Sequence, residues 1–211
     1  NPEAVVVAAG CYVQAKAESG EIDECIDIVI GNNKKKDLIE ILEQHIQKAV
    51  IDINHTKEYE EMHLSKTAEH TRAYIKVQDG CNQFCTYCII PFARGRVRSR
   101  AKEDVIQEVT DLANNGYKEV VLTGIHLSSY GVDLEGEDLL SLILAVNDVA
   151  GIERIRFTTS HPWDFTDKMI DVISKCDNIM PYIHLPIQSG SDRILKLMGR
   201  KYTSEEYLEL V

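Results

Sequence analysis

Apolar residues follow two different periods along this chain, and the two periods alternate. Short apolar runs predict strands, while apolar residues spaced three or four positions apart predict amphipathic helices. Within the first 54 residues this pattern predicts two strands, at residues 5–9 and 26–30, and a helix from about Lys35 to Ala49. After residue 72, strand and helix alternate four times, with strands at 74–78, 119–123, 154–158 and 182–186 and helices at 104–114, 139–149, 167–175 and 192–198.

The alternation after residue 72 is typical of a parallel sheet whose strands are joined by helical crossovers. We therefore expect an α/β fold in which residues 72–211 form part of a parallel (β/α) barrel and residues 1–54 form the end of a smaller α/β domain. Residues 55–71 are polar and aperiodic, and they are predicted to be a linker. Because the chain opens without methionine and ends within an amphipathic pattern at residues 204–211, we expect a fragment with a truncated barrel, incomplete for full activity.

The loops after the predicted barrel strands contain the unusual residues of this chain. In β/α barrels, residues that carry chemistry lie in these loops, at one face of the barrel. Three cysteines follow the first predicted barrel strand, and polar residues follow the other three strands, at 123–126, 159–162 and 188–191. We expect the four loops to converge on one functional site.

Composition is that of an ordinary globular protein, with one local exception. Hydrophobic residues make up 44% of the chain and charged residues 27%, no apolar run approaches the roughly 20 residues that span a bilayer, and no secretion leader opens the sequence. A cytoplasmic protein without membrane contact is therefore expected. The net charge of −11 disfavours a polyanionic partner, but five cations fall within nine residues: Arg94, Arg96, Arg98, Arg100 and Lys102. This strip is either a solvated basic loop or a surface that contacts nucleic-acid phosphates.

Three of the six cysteines form one compact motif, Cys81-x3-Cys85-x2-Cys88. They offer three thiolates from a single loop, and Gly80 before them permits a tight turn. A structural zinc ion or a ferredoxin cluster would need a fourth protein ligand. Three cysteines on a [4Fe-4S] cluster would instead leave one iron open to bind a substrate, and we expect such a cluster. A zinc-stapled loop in a non-enzymatic interaction module is the alternative, and metal content distinguishes the two.

The cysteine motif, with a tyrosine before its last cysteine, resembles the signature of the radical S-adenosylmethionine enzymes. Residues 75–96, 121–126 and 184–191 are similar to the methylthiotransferase branch of that family. The resemblance implies a [4Fe-4S] cluster whose open iron chelates S-adenosyl-L-methionine, and an electron that cleaves this cofactor to a 5′-deoxyadenosyl radical. It also implies a three-part enzyme: an N-terminal domain with a second cluster, a radical barrel and a C-terminal RNA-binding domain.

The resemblance also implies roles for individual residues. Cys81, Cys85 and Cys88 would hold the radical cluster. Cys11 would supply one ligand of the second [4Fe-4S] cluster, since residues 7–14 resemble the last cysteine segment of the N-terminal domain. A buried thiol is the alternative for Cys11, and helix capping is the alternative for the threonine and serine below. Contacts to S-adenosylmethionine would come from Tyr87, Thr123, Gly124, Gln188 and Ser189, and contacts to RNA from Arg94, Arg96, Arg98 and Arg100.

The implied reaction inserts a methylthio group at carbon 2 of a modified adenosine beside the tRNA anticodon. The implied partners are tRNA, S-adenosylmethionine and an electron donor such as flavodoxin or ferredoxin.

Two tRNA substrates compete in this resemblance. Residues 94–100 and 123–131 are similar to the branch acting on N6-threonylcarbamoyladenosine, whereas residues 157–162 and 184–188 are similar to the branch acting on N6-isopentenyladenosine. We expect the threonylcarbamoyl substrate, because the loop after the second barrel strand lies closest to the chemistry. A third branch modifies an aspartate of a ribosomal protein, and the basic strip favours RNA over that protein.

Overall fold

The computed structural model describes residues 3–61, 71–158 and 160–211. Its N-terminal part contains β1 (Val7–Ala9), α1 (Cys11–Ser19), β2 (Ile28–Ile30), α2 (Leu38–Glu43) and β3 (Lys48–Ala49). The three strands form a parallel sheet in the order β1-β2-β3, and the two predicted strands are confirmed in shorter form. Ile28 and Ile30 pack with Ile41 in a small core of their own.

One prediction fails in this small sheet, and the pattern misses one helix. The helix expected from Lys35 to Ala49 ends with α2, and Lys48–Ala49 instead pairs in parallel with β2. The reason is local, because His45 has φ 51°, a left-handed conformation that ends a helix. The pattern also misses α1, which begins at Cys11, directly after Gly10 at φ 107°.

The second sheet belongs to the predicted barrel. Its part of the chain contains β4 (Ala73–Asp79), α3 (Ile90–Ala93), β5 (Arg98–Ser99), α4 (Lys102–Asn114), β6 (Glu119–Gly124), α5 (Leu139–Asn147) and β7 (Arg154–Phe157). The strand order is β5-β4-β6-β7, in which β4, β6 and β7 are parallel and β5 is antiparallel. The first three barrel strands are therefore confirmed. Ile75, Leu122 and Ile155 from these strands are buried in one core with Leu112 and Leu142 of the covering helices.

The prediction of a fourth barrel strand at residues 182–186 is wrong. Among the described residues, pairing beyond β7 is one isolated bridge between Ile155 and Ile179. Pro181 follows, which has no amide hydrogen, and Tyr182 donates its backbone N–H to the carbonyl oxygen of Met180 at 2.7 Å. Residues 182–186 therefore form no strand, although the carbonyl oxygen of His184 still accepts the Ser160 N–H at 3.1 Å, and the described residues form an open, partial barrel. The remaining helices are α6 (Asp167–Ile173), α7 (Asp192–Leu197) and α8 (Ser204–Leu210).

The predicted linker begins with a segment that is fixed to the first sheet. Glu60 is buried, and its carboxylate accepts the backbone N–H groups of Asn33 at 3.2 Å, Lys35 at 2.6 Å and Lys36 at 3.2 Å. Residues 62–70 lie outside the described residues, so the boundaries of the three parts stay predictions. No described helix is both long enough and apolar enough to cross a membrane.

Residues 94–100, which follow α3 and are called the arginine segment below, enter the protein interior. Arg98 is 1% exposed and donates through Nη1 to the carbonyl oxygens of Arg94 at 2.9 Å and Arg96 at 3.0 Å. Arg100 is 3% exposed and forms an ion pair with buried Glu108 of α4. The expectation of a continuous RNA-binding strip is therefore corrected: Arg98 and Arg100 are buried, and of the four arginines only Arg96 is exposed.

Replacing Glu108 tests this burial. In Glu108→Ala the Arg100 guanidinium stays in the interior without its carboxylate, and a buried charge left in this way costs about 3–5 kcal/mol. We expect a loss of that size in the free energy of unfolding, measured by urea denaturation. Gln107→Ala, at the neighbouring exposed position of the same helix, is the control, for which we expect a change within about 0.5 kcal/mol. Equal stability of the two variants would contradict the buried ion pair.

Candidate functional site

The three clustered cysteines lie in the loop between β4 and α3, after the carboxyl end of β4. Gly80 has φ 73°, and a β-carbon on it would lie 1.9 Å from the carbonyl oxygen of Arg96. Cys81 donates its N–H to the carbonyl oxygen of Gly95 at 3.0 Å. The start of the loop is therefore seated directly on the arginine segment, at a distance that only glycine allows.

The second half of the cysteine loop is held by the end of α7. The Thr86 hydroxyl donates to the carbonyl oxygen of Leu197 at 3.0 Å. Within the loop, Cys88 donates its N–H to the carbonyl oxygen of Cys85 at 2.9 Å, which closes a turn between these two cysteines. All three thiols are free; Cys81 is buried, and the other two are half-buried.

Electrostatics indicate that the three thiols share one site. Burial raises the pKa of Cys81, but the hydrogen bond and charge of His126 outweigh burial, and the net pKa lies below the ordinary value. Burial also raises the pKa of Cys85; Arg200 opposes this rise, and the charges of Cys81 and Cys88 add to it. The loop therefore places three interacting sulfur ligands beside two cationic side chains.

Among the described residues, the three thiols are not gathered as closely as the ligands of a single zinc ion would be. Zinc–sulfur bonds of about 2.3 Å in a tetrahedron hold the sulfurs roughly 4 Å apart. Among the described residues, the group whose ligand atoms all lie within 4.8 Å of one another is His126, His161 and Asp164, and it contains no cysteine. Three free thiols from one loop are the ligand set that leaves one iron of a four-iron cluster open.

The loops after β6 and β7 bring two histidines next to the cysteine loop. Their rings are 4.0 Å apart between centroids, and His126 Nε2 lies 2.8 Å from Asp164 Oδ2. Burial lowers the pKa of His126, but Asp164 and Cys81 outweigh burial and raise it to about 9. Burial and the His126 charge lower the pKa of His161 to about 4. The mouth of the partial barrel therefore contains a protonated and a neutral imidazole side by side at neutral pH.

Two of the residues expected to bind S-adenosylmethionine lie together. The Tyr87 hydroxyl donates to Gln188 Oε1 at 3.3 Å, although the two residues are far apart in sequence. Arg200 also donates to the Tyr87 hydroxyl, and its guanidinium lies 5.6 Å from the Tyr87 ring centroid and 5.8 Å from that of Trp163. An aromatic and polar rim therefore borders the cysteine loop.

The other three expected cofactor contacts have structural partners. Thr123 Oγ1 donates to the carbonyl oxygen of Ile75 on the neighbouring strand at 3.2 Å. Gly124 faces Gln78 so closely that a β-carbon would lie 2.9 Å from Gln78 Oε1. Ser189 Oγ accepts the N–H of Ser191 at 3.2 Å, just before α7. These contacts hold the three residues within the fold, although neither the Thr123 hydroxyl nor the Ser189 hydroxyl caps a helix.

The remaining metal and RNA candidates lie on the side of the loop that faces the first sheet. Cys11 is half-buried at the start of α1, with its Sγ 3.5 Å from Asn32 Nδ2. Arg94 Nη1 lies 3.3 Å from Asp79 Oδ1 and is therefore engaged within the protein. Arg96 is exposed, and its guanidinium lies 4.4 Å from the ring centroid of Phe84 in the cysteine loop.

Sequence reasoning missed Arg200 and Asp164. Arg200 is one of 23 basic residues and has no distinctive spacing, so no local signal identifies it. Asp164 lies in a short turn, and its pairing with His126 joins loops 38 residues apart. Thr159, expected in the same loop, lies outside the described residues.

Comparison with known proteins agrees with this site. A family model described as the Radical SAM superfamily matches residues 75–211. The chain is 46% identical to the tRNA-2-methylthio-N(6)-dimethylallyladenosine synthases of Staphylococcus aureus strains JH9 and Newman, over 100% of this chain and 42% of each relative. It therefore spans less than half the length of these curated relatives.

Solved structures share the fold at low sequence identity. The cobalamin-dependent S-adenosylmethionine radical enzyme OxsB with aqua-cobalamin bound superimposes with a TM-score of 0.65 and 14% identity, over 98% of this chain and 34% of that one. The radical S-adenosylmethionine methyltransferase TsrM from Kitasatospora setae, with tryptophan and a cofactor analogue bound, gives a TM-score of 0.52 and 18% identity, over 66% and 27% of the two chains.

The close approach of Gly80 to the arginine segment can be tested against a matched glycine. Gly116 has φ 89°, and no atom lies within 4 Å of a β-carbon built on it. Gly116→Ala therefore loses stability only because alanine disfavours the left-handed backbone conformation, by about 1–2 kcal/mol. Gly80→Ala adds a clash with the Arg96 carbonyl, and we expect a larger loss in the free energy of unfolding, measured by urea denaturation. Equal losses in the two variants would show that Gly80 is not in close contact with that carbonyl.

Proposed function

The chain belongs to the radical SAM superfamily, and from this premise we propose that it acts in the methylthiolation of N6-isopentenyladenosine, also called N6-dimethylallyladenosine, in tRNA. The observation that carries the proposal is 46% identity, over all of this chain, to synthases named for that nucleoside. Membership of the superfamily implies a [4Fe-4S] cluster and S-adenosylmethionine. When bound, such a cluster supplies the electron for reductive cleavage of the cofactor.

This proposal replaces the substrate expected from the sequence. The loop at residues 123–131 favoured N6-threonylcarbamoyladenosine, but the curated relatives are named for the dimethylallyl compound. The alternative drawn from residues 157–162 and 184–188 fits those names, and we adopt it. A ribosomal-protein substrate and a zinc-stapled interaction module have no support in these names.

The chain's own residues take three tasks in this proposal. Cys81, Cys85 and Cys88 supply the sulfur ligands of the radical cluster, and the missing fourth ligand leaves an iron for the cofactor. Tyr87 and Gln188 form the rim against which the cofactor lies, as their hydrogen bond of 3.3 Å supports. Contacts from Thr123, Gly124 and Ser189 complete this cofactor site from the strand ends.

Two further parts of the proposal concern the face toward the first sheet. Cys11 contributes one ligand to a second [4Fe-4S] cluster, which the half-buried position of its free thiol supports. Arg96 contacts tRNA, since it is the exposed member of the arginine segment and lies over an aromatic ring. An electron donor such as flavodoxin or ferredoxin approaches the cysteine loop, where Phe84, Ile89 and Phe92 are 44%, 58% and 48% exposed.

The bound metal and its electron paramagnetic resonance spectrum test whether the three cysteines hold the radical cluster. After anaerobic reconstitution with iron and sulfide, we expect the reduced protein to give a four-iron electron paramagnetic resonance signal that changes when S-adenosylmethionine is added. Cys85→Ala removes one of three ligands, and we expect it to lose the signal and cofactor cleavage while staying folded. Cys176→Ala, a half-buried thiol outside the motif, is the control and should retain both. Stoichiometric zinc without iron, or full cleavage by Cys85→Ala, would overturn the assignment.

The substrate is tested with the complete natural protein and two tRNAs. One tRNA carries N6-isopentenyladenosine beside its anticodon, and the other carries N6-threonylcarbamoyladenosine. We expect the methylthio product only from the first, measured by mass spectrometry of nucleoside digests. Methylthiolation of the threonylcarbamoyl tRNA alone would reverse the substrate assignment, and uncoupled formation of 5′-deoxyadenosine in both reactions is the control for an active cluster.

A further inference from the structure

One buried side chain connects the first sheet to the cysteine loop. Asn32, two residues beyond β2, is 1% exposed. Its Nδ2 donates to the carbonyl oxygen of Ala93, the last residue of α3, at 2.6 Å, and lies 3.5 Å from Cys11 Sγ. A single amide group therefore contacts both the thiol proposed for the second cluster and the helix that follows the radical-cluster cysteines.

The geometry fixes which end of the amide faces these partners. A carbonyl oxygen only accepts hydrogen bonds, so the atom next to Ala93 must be the amide nitrogen, and its second N–H is available to the Cys11 sulfur. The Asn32 Oδ1 is buried without a hydrogen-bond partner among the described residues, so no acceptor contact competes with this orientation.

Asn32 is itself held by buried neighbours. Gln14 is 0% exposed, and its Oε1 accepts the backbone N–H of Asn32 at 2.9 Å while its Nε2 donates to the carbonyl oxygen of Ile51 at 3.0 Å. Gly31 leaves room for this glutamine, because a β-carbon there would lie 2.3 Å from Gln14 Oε1. Helix α1, which begins at Cys11, and the end of β2 are thus locked together around Asn32.

A second connection runs parallel to the first. Arg94 directly follows Ala93, and its Nη1 lies 3.3 Å from Asp79 Oδ1, two residues before Cys81. Burial lowers the pKa of Arg94, but the charge of Asp79 and then that of Cys11 outweigh burial and raise it. Arg94 is therefore near Cys11 and is also paired with the segment that precedes the cysteine loop.

We propose that Asn32 is a positioning residue that ties Cys11 to the cysteine loop and so holds the two iron–sulfur sites in a fixed relation. This inference rests on the proposed function, because it requires a second cluster at Cys11. An N–H donated to a cysteine sulfur also influences a cluster's reduction potential. Because the reduced cluster is the more negative form, this donor stabilises reduction, and its loss makes the potential of the Cys11 cluster more negative.

The first arm of the test measures the thiol itself, in the chain without metal. Iodoacetamide alkylation of Cys11 is followed by peptide mass spectrometry, with exposed Cys25 as the internal reference. We expect Asn32→Ala to speed Cys11 alkylation several-fold relative to Cys25, because the amide no longer covers the sulfur. Asn147→Ala, which removes another amide with a buried unpartnered oxygen, is the matched control and should leave the ratio unchanged. An unchanged ratio in Asn32→Ala overturns the inference.

The second arm uses the complete natural protein with reconstituted clusters. Asn32→Leu keeps the branched shape of the side chain but has no N–H, and it leaves no cavity at this buried position. In a redox titration followed by electron paramagnetic resonance, we expect the Cys11 cluster to shift to a more negative potential and the other cluster to keep its own. Unchanged potentials in a two-cluster enzyme overturn the inference alone. A wild-type enzyme with no second cluster overturns it together with the proposed ligand role of Cys11.

Discussion

The buried carboxylate of Asp79 is the charge around which the site is arranged. It lies at the end of β4, 4% exposed, where a lone charge would be costly. Burial alone would raise its pKa, but Lys76, Arg94 and the Gly80 N–H together hold the pKa below the ordinary value. Lys76 Nζ lies at 2.7 Å, and the Gly80 N–H donates to Oδ1 at 2.9 Å. The Asp79 carboxylate therefore pairs with Arg94 and Arg98 of the arginine segment. The cysteine loop packs directly against this buried segment, since Cys81 donates its N–H to the carbonyl oxygen of Gly95.

The sequence predicted the elements whose pattern is local and missed those decided by distant partners. Strands β4, β6 and β7 and helices α4 and α5 follow from apolar periodicity, because each buries one continuous face. The helix expected from Lys35 to Ala49 kept its apolar spacing through Ile46, but the left-handed backbone of His45 ends it. The strand expected at residues 182–186 has the composition of a strand, yet the turn at Pro181 interrupts the pairing that Ile179 begins with β7.

In the candidate site too, the sequence identifies the residues whose pattern is local and misses the contacts made with distant residues. Spacing alone identifies the three cysteines, since ligands from one loop are close in sequence. The burial of Arg98 and Arg100 could not be read from the strip, because the acids they meet, Asp79 and Glu108, lie outside it. The threonylcarbamoyl substrate was expected from a loop whose sequence is partly set by packing. Within residues 123–131, Leu127 and Tyr130 are 0% and 1% exposed, so much of that loop's sequence records packing and not recognition of a base.

The use of cations inside the protein limits how this chain attracts the tRNA partner proposed for it. Of the five cations in the strip, Arg94, Arg98, Arg100 and Lys102 are each paired with an acid of the same chain. Their charge is compensated and adds little to the field outside, and the net charge is −11. Long-range attraction of a polyanion therefore does not arise from this strip. The RNA contact proposed at Arg96 is short-range, and the neighbouring Phe84 ring would add a surface for an unstacked base.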